Sequence, residues 1–256
     1  MSTYNDYGIV LNGYDLAESD KILNIYTKEN GLVRAVAKGA KKTKSKFIGK
    51  TDQLSCCYFH FSKGKNLDIV SDCSQVASFP LLRRDLNRLV YGILFLEVVS
   101  GFAYEMESES MQVYDLLYSG LEELQNTKDL DEYLIKFILN FLSIHGFSPQ
   151  LETCVSCSKK ISFIETIQKY PYSYVLGGLL CNKCSGFVEY SPTSFEVIKM
   201  LGSSEELVLQ ESKLRVATLC KPAVKENANL ALALLREHIN IRAKNKIKSF
   251  DLVFSL

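Results

Sequence analysis

The chain has 256 residues, of which 47% are hydrophobic and 23% charged, and a formal net charge of +1. That composition excludes collagen-like, mucin-like and largely disordered chains and leaves room for one to three compact domains. No apolar run is long enough to span a bilayer and no signal-peptide pattern opens the chain, so a cytoplasmic location without membrane attachment is expected, where the 8 cysteines point to metal binding or burial and not to disulfides.

The first 79 residues read as strands. Gly8–Leu11, Lys21–Tyr26, Leu32–Lys38, Leu54–Phe61 and Leu67–Ser71 are short runs of β-branched, aromatic and aliphatic residues, separated by the turn signals Asn12-Gly13, Glu29-Asn30-Gly31 and Lys63-Gly64-Lys65. Five strands in so short a span suit a small closed barrel, with the five-stranded OB-fold as the leading candidate. Cys57, Phe59 and Phe61 alternate with Cys56, Tyr58 and His60, and the first set should face the core.

After Pro80 the pattern turns helical and acidic: residues 80–149 carry a net charge of −6, against +3 for residues 1–79. Leu86–Tyr104 is apolar on most sides and reads as an enclosed helix. Val113, Leu117, Leu121 and Leu124 recur at helical spacing, as do Leu130, Leu134, Phe137, Phe141 and Ile144. Pro222 fits the first turn of a further helix running through Leu230, Leu234, His238 and Ile241. The expected architecture is therefore α+β: a barrel domain over 1–79, then a helical domain over 80–256, interrupted at 150–192 by a segment without helical periodicity.

That insert holds Cys154-Val155-Ser156-Cys157 and Cys181-Asn182-Lys183-Cys184. A two-residue spacer lets both thiolates of a pair converge on one ion, and two such pairs complete a tetrahedral Zn²⁺ site. Four sulfur ligands leave no open coordination position, so a structural zinc is expected. The intervening residues leave room for a short hairpin such as Phe163–Val175. Cys56, Cys57, Cys73 and Cys220 read as small buried hydrophobes, and His60, His145 and His238 are too scattered for a shared site. No catalytic triad, P-loop, dinucleotide fingerprint or deaminase signature is present, so no enzymatic activity is expected.

The second signal is basic. Lys38, Lys41, Lys42, Lys44, Lys46 and Lys50 fall within thirteen residues that contain no acid, on a loop between two strands. Flexible ammonium groups suit phosphates of varying position, and barrels of this kind bind strands along a basic groove with aromatic stacking platforms. Phe47, Tyr58, Tyr14 and Tyr26 are candidate platforms. The basic stretch Arg242–Lys248 fits a helix C-terminus at least as well as a second nucleic-acid surface.

Several strings together resemble one family. Gly8-Ile9-Val10-Leu11, Glu18-Ser19-Asp20-Lys21-Ile22-Leu23, Thr27, Gly31-Leu32-Val33 and Ala37–Ser45 do so at the N-terminus. Gly146-Phe147-Ser148-Pro149 precedes the first cysteine pair, Gly177-Gly178-Leu179-Leu180 leads into the second, and Lys248-Ser249-Phe250 stands near the end. These resemble the RecO family of bacterial DNA repair proteins over the whole chain, with Ser158 standing where a glycine is common. The resemblance implies an OB-fold, a helical domain with a zinc-binding insert, and a recombination mediator acting at the nucleoid. Such a mediator binds single- and double-stranded DNA, here through Arg34, Lys38, Lys41, Lys42, Lys44, Lys46 and Lys50, and anneals complementary strands. With RecR it promotes RecA loading onto DNA coated by single-strand binding protein, whose acidic C-terminal tail would need cations such as Arg83, Arg84, Arg88 or Lys136. A general RNA-binding barrel with a structural zinc is the alternative reading.

Overall fold

In the computed structural model, which describes residues 2–163, 169–202 and 221–256, five strands occupy the N-terminal stretch: β1 (Thr3–Asp15), β2 (Lys21–Thr27), β3 (Gly31–Ala37), β4 (Cys56–Ser62) and β5 (Asp68–Ala77). β1 pairs antiparallel with both β2 and β4, and a short parallel contact of Ala35 and Val36 with Asp68 and Ile69 closes the ring in the order β1-β2-β3-β5-β4. The register of β1 against β2 shifts between Val10 and Asn12, a bulge that bends the strand. Asn12-Gly13, expected as a turn, therefore continues β1. The reversal comes later, where the Leu16 N–H donates to the Asp20 carbonyl at 3.0 Å.

Cys57, Phe59 and Phe61 do point into the barrel, beside Val10, Leu23, Ile25, Val33 and Ala35. Phe61 stacks on Tyr4 and Phe59 with ring centroids 5.0 and 5.5 Å apart. On the other face Tyr58 and His60 are half-buried, while Cys56 is enclosed, its sulfur 3.3 Å from the Tyr114 hydroxyl. β5 runs well past Ser71, where the sequence places its end. Between Asp72 and Val76 the core receives Cys73 alone, and Asp72, Ser74 and Gln75 are exposed, so hydrophobicity does not mark the extension.

Three helices follow the barrel: α1 (Pro80–Arg84), which packs on α2, and α2 (Leu86–Phe102) and α3 (Ser110–Leu124), which pack on its strands. Asp85 caps α2 by accepting the Arg88 N–H at 3.2 Å, and the helix is buried along most of its length, as its uniform apolarity requires. Val113, Leu117, Leu121 and Leu124 of α3 are all buried. Near the C-terminus, α7 (Ser249–Val253) packs on α2, whose Glu97 carboxylate accepts the backbone N–H groups of Lys248 (2.9 Å) and Ser249 (2.7 Å), and Phe250 is fully enclosed. Compact units accordingly divide as Met1–Lys128 with Lys246–Leu256, and Asp129–Asn245; the sequence places the division at residue 79, where barrel gives way to helix.

The second unit contains α4 (Leu130–Ile144), β6 (Lys169–Ser173), β7 (Gly178–Leu179), β8 (Ser191–Ser194), α5 (Phe195–Leu201) and α6 (Lys221–Asn240), the three strands forming a sheet in the order β7-β6-β8. Leu134, Phe137 and Phe141 of α4 are buried as the spacing requires. The stripe expected on α6 is only half right. Leu234 and His238 are buried, but Leu230 and Ile241 are exposed, because the inward face is completed by Ala228, Ala231, Leu232, Leu235 and Ile239. The hairpin of the insert is β6–β7, paired through Tyr172–Leu179 and Ser173–Gly178; part of the expected Phe163–Val175 span lies outside the described residues, as does Cys220. Among the described residues no helix is long and apolar enough to cross a membrane.

Candidate metal centre and nucleic-acid interface

Two tight turns bring the cysteines together. In the first, the Cys154 N–H donates to the Lys159 carbonyl and the Ser158 N–H to the Cys154 carbonyl, both at 2.8 Å. Ser158 closes it in the left-handed region, with φ 59°, a conformation that glycine adopts without steric cost. In the second, the Cys184 and Ser185 N–H groups both donate to the Cys181 carbonyl at 3.0 Å, and a 3-10 turn follows over Cys184–Gly186. The turns meet because Gly178 lies against the Gln150 backbone: a Cβ there would stand 2.3 Å from the Gln150 carbonyl oxygen and 2.6 Å from Val155. The glycine string ahead of the second pair thus has a steric cause.

The four sulfurs of Cys154, Cys157, Cys181 and Cys184 lie within 4.8 Å of one another and could hold one metal ion. Cys157 and Cys181 are 3.7 Å apart, matching the ~3.8 Å edge of a tetrahedron built on Zn–S bonds of ~2.3 Å. Protonation is shared unevenly. Burial works against ionisation of Cys154, but the backbone N–H groups of Cys181, Ser156 and Cys157 outweigh it and hold this thiol at about 6. A hydrogen bond with Ser156 lowers Cys184, yet its contacts with Cys181, Cys157 and Cys154 push it up to about 12. Crowded sulfurs cannot all ionise without a cation to compensate them, and a divalent ion would displace the remaining protons.

The lysine-rich segment between β3 and β4 is a chain of turns anchored to the barrel. Ala40 and Phe47 belong to the barrel core, and successive backbone bonds join Lys42 to Gly39, Ser45 to Lys42, Ile48 to Ser45 and Lys50 to Phe47. Its cations fall into two groups. Lys41 pairs with Asp15 at 2.7 Å, Lys46 with Asp72 at 3.7 Å and with the Ser71 carbonyl, and Lys50 donates to the Cys73 carbonyl at 3.1 Å. Lys38, Lys42 and Lys44 are exposed, with no hydrogen bond or ion pair to their side chains among the described residues. Arg34 is exposed on β3 but stands apart from these lysines, lining a cleft with Tyr4, Asp68 and two cations of the β4–β5 turn, Lys63 and Lys65. In sequence Lys63-Gly64-Lys65 reads as a turn alone; its two lysines are the signal that points to this cleft.

Of the four candidate platforms, Phe47 and Tyr26 are corrected. Both are buried, Phe47 in the barrel core and Tyr26 with its hydroxyl donating to Glu107 at 3.1 Å. Tyr14 is exposed and Tyr58 half-buried. Arg242 is tied down inside its own unit, donating to the Tyr174 and His238 carbonyls at 3.2 and 2.6 Å, which favours the helix-terminus reading for it. Three of the four cations suggested for an acidic tail are engaged: Arg83 with the Gln53 carbonyl, Arg88 with the Leu124 and Thr127 carbonyls, and Lys136 with Glu132.

Comparison with known proteins covers both units. The family model described as "Recombination protein O N terminal" matches residues 1–79, and "Recombination protein O C terminal" matches residues 83–245. A protein named DNA repair protein RecO from Thermobifida fusca (strain YX) is 28% identical over 257 residues, covering 99% of each chain. Proteins of the same name from Desulforamulus reducens and Symbiobacterium thermophilum are 30% and 32% identical, covering 98% and 78% of this chain and 94% and 80% of the relatives.

Proposed function

Because the chain belongs to the recombination protein O family, we propose that it works in DNA repair as a non-enzymatic recombination mediator in the cytoplasm. It binds single- and double-stranded DNA, anneals complementary strands and, with RecR, promotes RecA loading onto DNA covered by single-strand binding protein. The observation that carries the reading is the lysine segment: its backbone is fixed to the barrel at Ala40 and Phe47, while Lys38, Lys42 and Lys44 are exposed and unpaired among the described residues. A fixed backbone with free ammonium groups places charge along a phosphate path while the lysine stems adjust to the strand.

The barrel's strand order, with β1 shared by two neighbours and a parallel β3–β5 closure, supports an OB-fold assignment. The all-sulfur donor set and the 3.7 Å Cys157–Cys181 spacing support Zn²⁺ as the ion held by Cys154, Cys157, Cys181 and Cys184. Such an ion supplies a structural crosslink.

Annealing requires neutralising two polyanions while leaving base edges free. Contacts confined to phosphates meet that need, since they hold a strand without occupying the groups that must pair. Besides the lysine segment, Arg34, Lys63 and Lys65 place further cations at a separate cleft that also holds Asp68 and Glu105. The test is the salt dependence of binding. Replacing Lys38, Lys42 and Lys44 together by Ala should weaken binding to all sequences alike and flatten the slope of log K against log salt by roughly 2.7 on duplex, about 0.9 for each phosphate left without its lysine. An unchanged slope removes the segment from the interface, and tighter binding to matched RNA than to DNA would favour a general RNA-binding role.

A further inference from the structure

We propose that Tyr7, Tyr58 and His60 form a stacking platform for the unpaired bases of a single strand, on the outer face of β1 and β4. Tyr7 and Tyr58 are directly opposed across the two strands, with ring centroids 4.8 Å apart. His60 continues the row along β4, its ring 5.3 Å from Tyr58 and edge-on to it. The core-facing residues of β4 are Cys57, Phe59 and Phe61, so this row lies on the opposite face. Tyr7 is 46% exposed, and Tyr58 and His60 are partly exposed. His60 is held in place by a 2.8 Å hydrogen bond between its Nδ1 and the Asn5 Oδ1.

Charge identifies the occupant. His60 is paired across the sheet with Asp72, and Lys46 reaches that same Asp72 at 3.7 Å as well as the Ser71 carbonyl, while the Ser71 hydroxyl donates to the His60 carbonyl at 2.9 Å. Lys46 of the lysine segment, paired with Asp72, therefore stands beside the aromatic row. A polymer with anionic links and flat apolar rings matches a lysine-rich segment that reaches a row of partly exposed aromatics through Lys46, and each base has a π-face whatever its identity. Duplex DNA does not match it, because its bases are already stacked on one another.

The platform rests on the nucleic-acid reading above, and one experiment separates the two. Binding is followed by fluorescence anisotropy for a labelled single strand, the matched duplex and the same single strand carrying abasic sites, using the wild type, Tyr7→Leu/Tyr58→Leu, Tyr7→Phe/Tyr58→Phe and the triple lysine variant. The leucine pair should weaken single-strand binding by about tenfold or more, as expected for lost base stacking. Its salt slope and its binding of duplex and abasic strand should stay as in the wild type, which also shows that the fold is intact. The phenylalanine pair keeps the rings and should bind as the wild type does. Single-strand binding unaffected by the leucine pair, while the lysine variant is weakened, would overturn the platform alone and leave the rings as a cross-strand pair that steadies the sheet. Equal losses on all three ligands would also overturn it. A wild type that binds none of them would overturn the platform and the nucleic-acid reading together.

Discussion

In the barrel, five strands send alternate side chains into one shared interior, and the ring is closed where β3 meets β5. The sheet beside the cysteines has strands of only two to five residues; it buries Tyr170, Tyr172, Leu179 and Leu180, and beside them two turns gather four sulfurs. Closed pairing plus continuous burial can specify the first region without help. Strands this short make few ladder bonds, and the thiols are placed to add a crosslink. The two regions should therefore respond to different insults.

The largest separation should come from denying the cysteine cluster its proposed ion. Chelation, or Cys154→Ser, should remove binding free energy on the order of the ~10–16 kcal/mol apparent in zinc-finger peptides. Backbone amides over 150–163 and 169–194 should then exchange rapidly while those of β1–β5 stay protected. Zinc-free protein from a chelator-free preparation, or unchanged exchange after chelation, would count against a structural ion. The reverse insult is Phe59→Ala in the barrel core. It should cost about 3–5 kcal/mol in thermal or denaturant unfolding and leave the zinc content as it was.

The region legible in the sequence is mainly the one built on strong periodicity. Cys57, Phe59 and Phe61 on one strand and Val113 to Leu124 on one helix can be assigned because burial of one face imposes a period of 2 or 3.6. Cysteine spacing picks out the four thiols that the fold gathers where they could hold one ion, because two CxxC pairs let their sulfurs converge. The rest is hidden by effects that leave no local pattern. A bulge absorbs Asn12-Gly13 into β1, a half-exposed strand makes 72–77 look like loop, and Ala228 and Ala231 carry an inward face usually read from larger residues. Which lysines are already paired depends on Asp15 and Asp72, both distant in sequence from the loop.

A smaller effect tests polar burial in the second unit. His238 is enclosed, its Nε2–H donating to the Phe147 carbonyl and its Nδ1 accepting the Tyr172 hydroxyl, both at 2.7 Å. Burial lowers its pKa to about 4, against a bond to Phe147 that raises it. The unfolded state thus binds the extra proton first, so stability present above about pH 6.5 is lost as pH falls toward 4. The loss should total roughly 3 kcal/mol. Denaturant midpoints across that window should drop more steeply for the wild type than for His238→Gln, and parallel curves would contradict a neutral buried imidazole. Smaller still, Ser158→Gly should relieve the left-handed turn beside Cys154 and stabilise the cysteine module by about 1 kcal/mol. Its readout is a slower loss of zinc to chelator, and an unchanged or faster rate would show that the turn carries no strain.

The proposed role itself is tested most directly by annealing without ATP. Complementary strands are each coated with cognate single-strand binding protein and mixed with the wild type or with the Lys38, Lys42 and Lys44 to Ala variant. Duplex formation is then followed in time at low and moderate salt. The wild type should accelerate annealing, and the variant should lose most of that acceleration while retaining its zinc and its melting temperature. A wild type that leaves the rate at its spontaneous value, or a variant that anneals as fast, would contradict a mediator that works through the free lysines of the barrel.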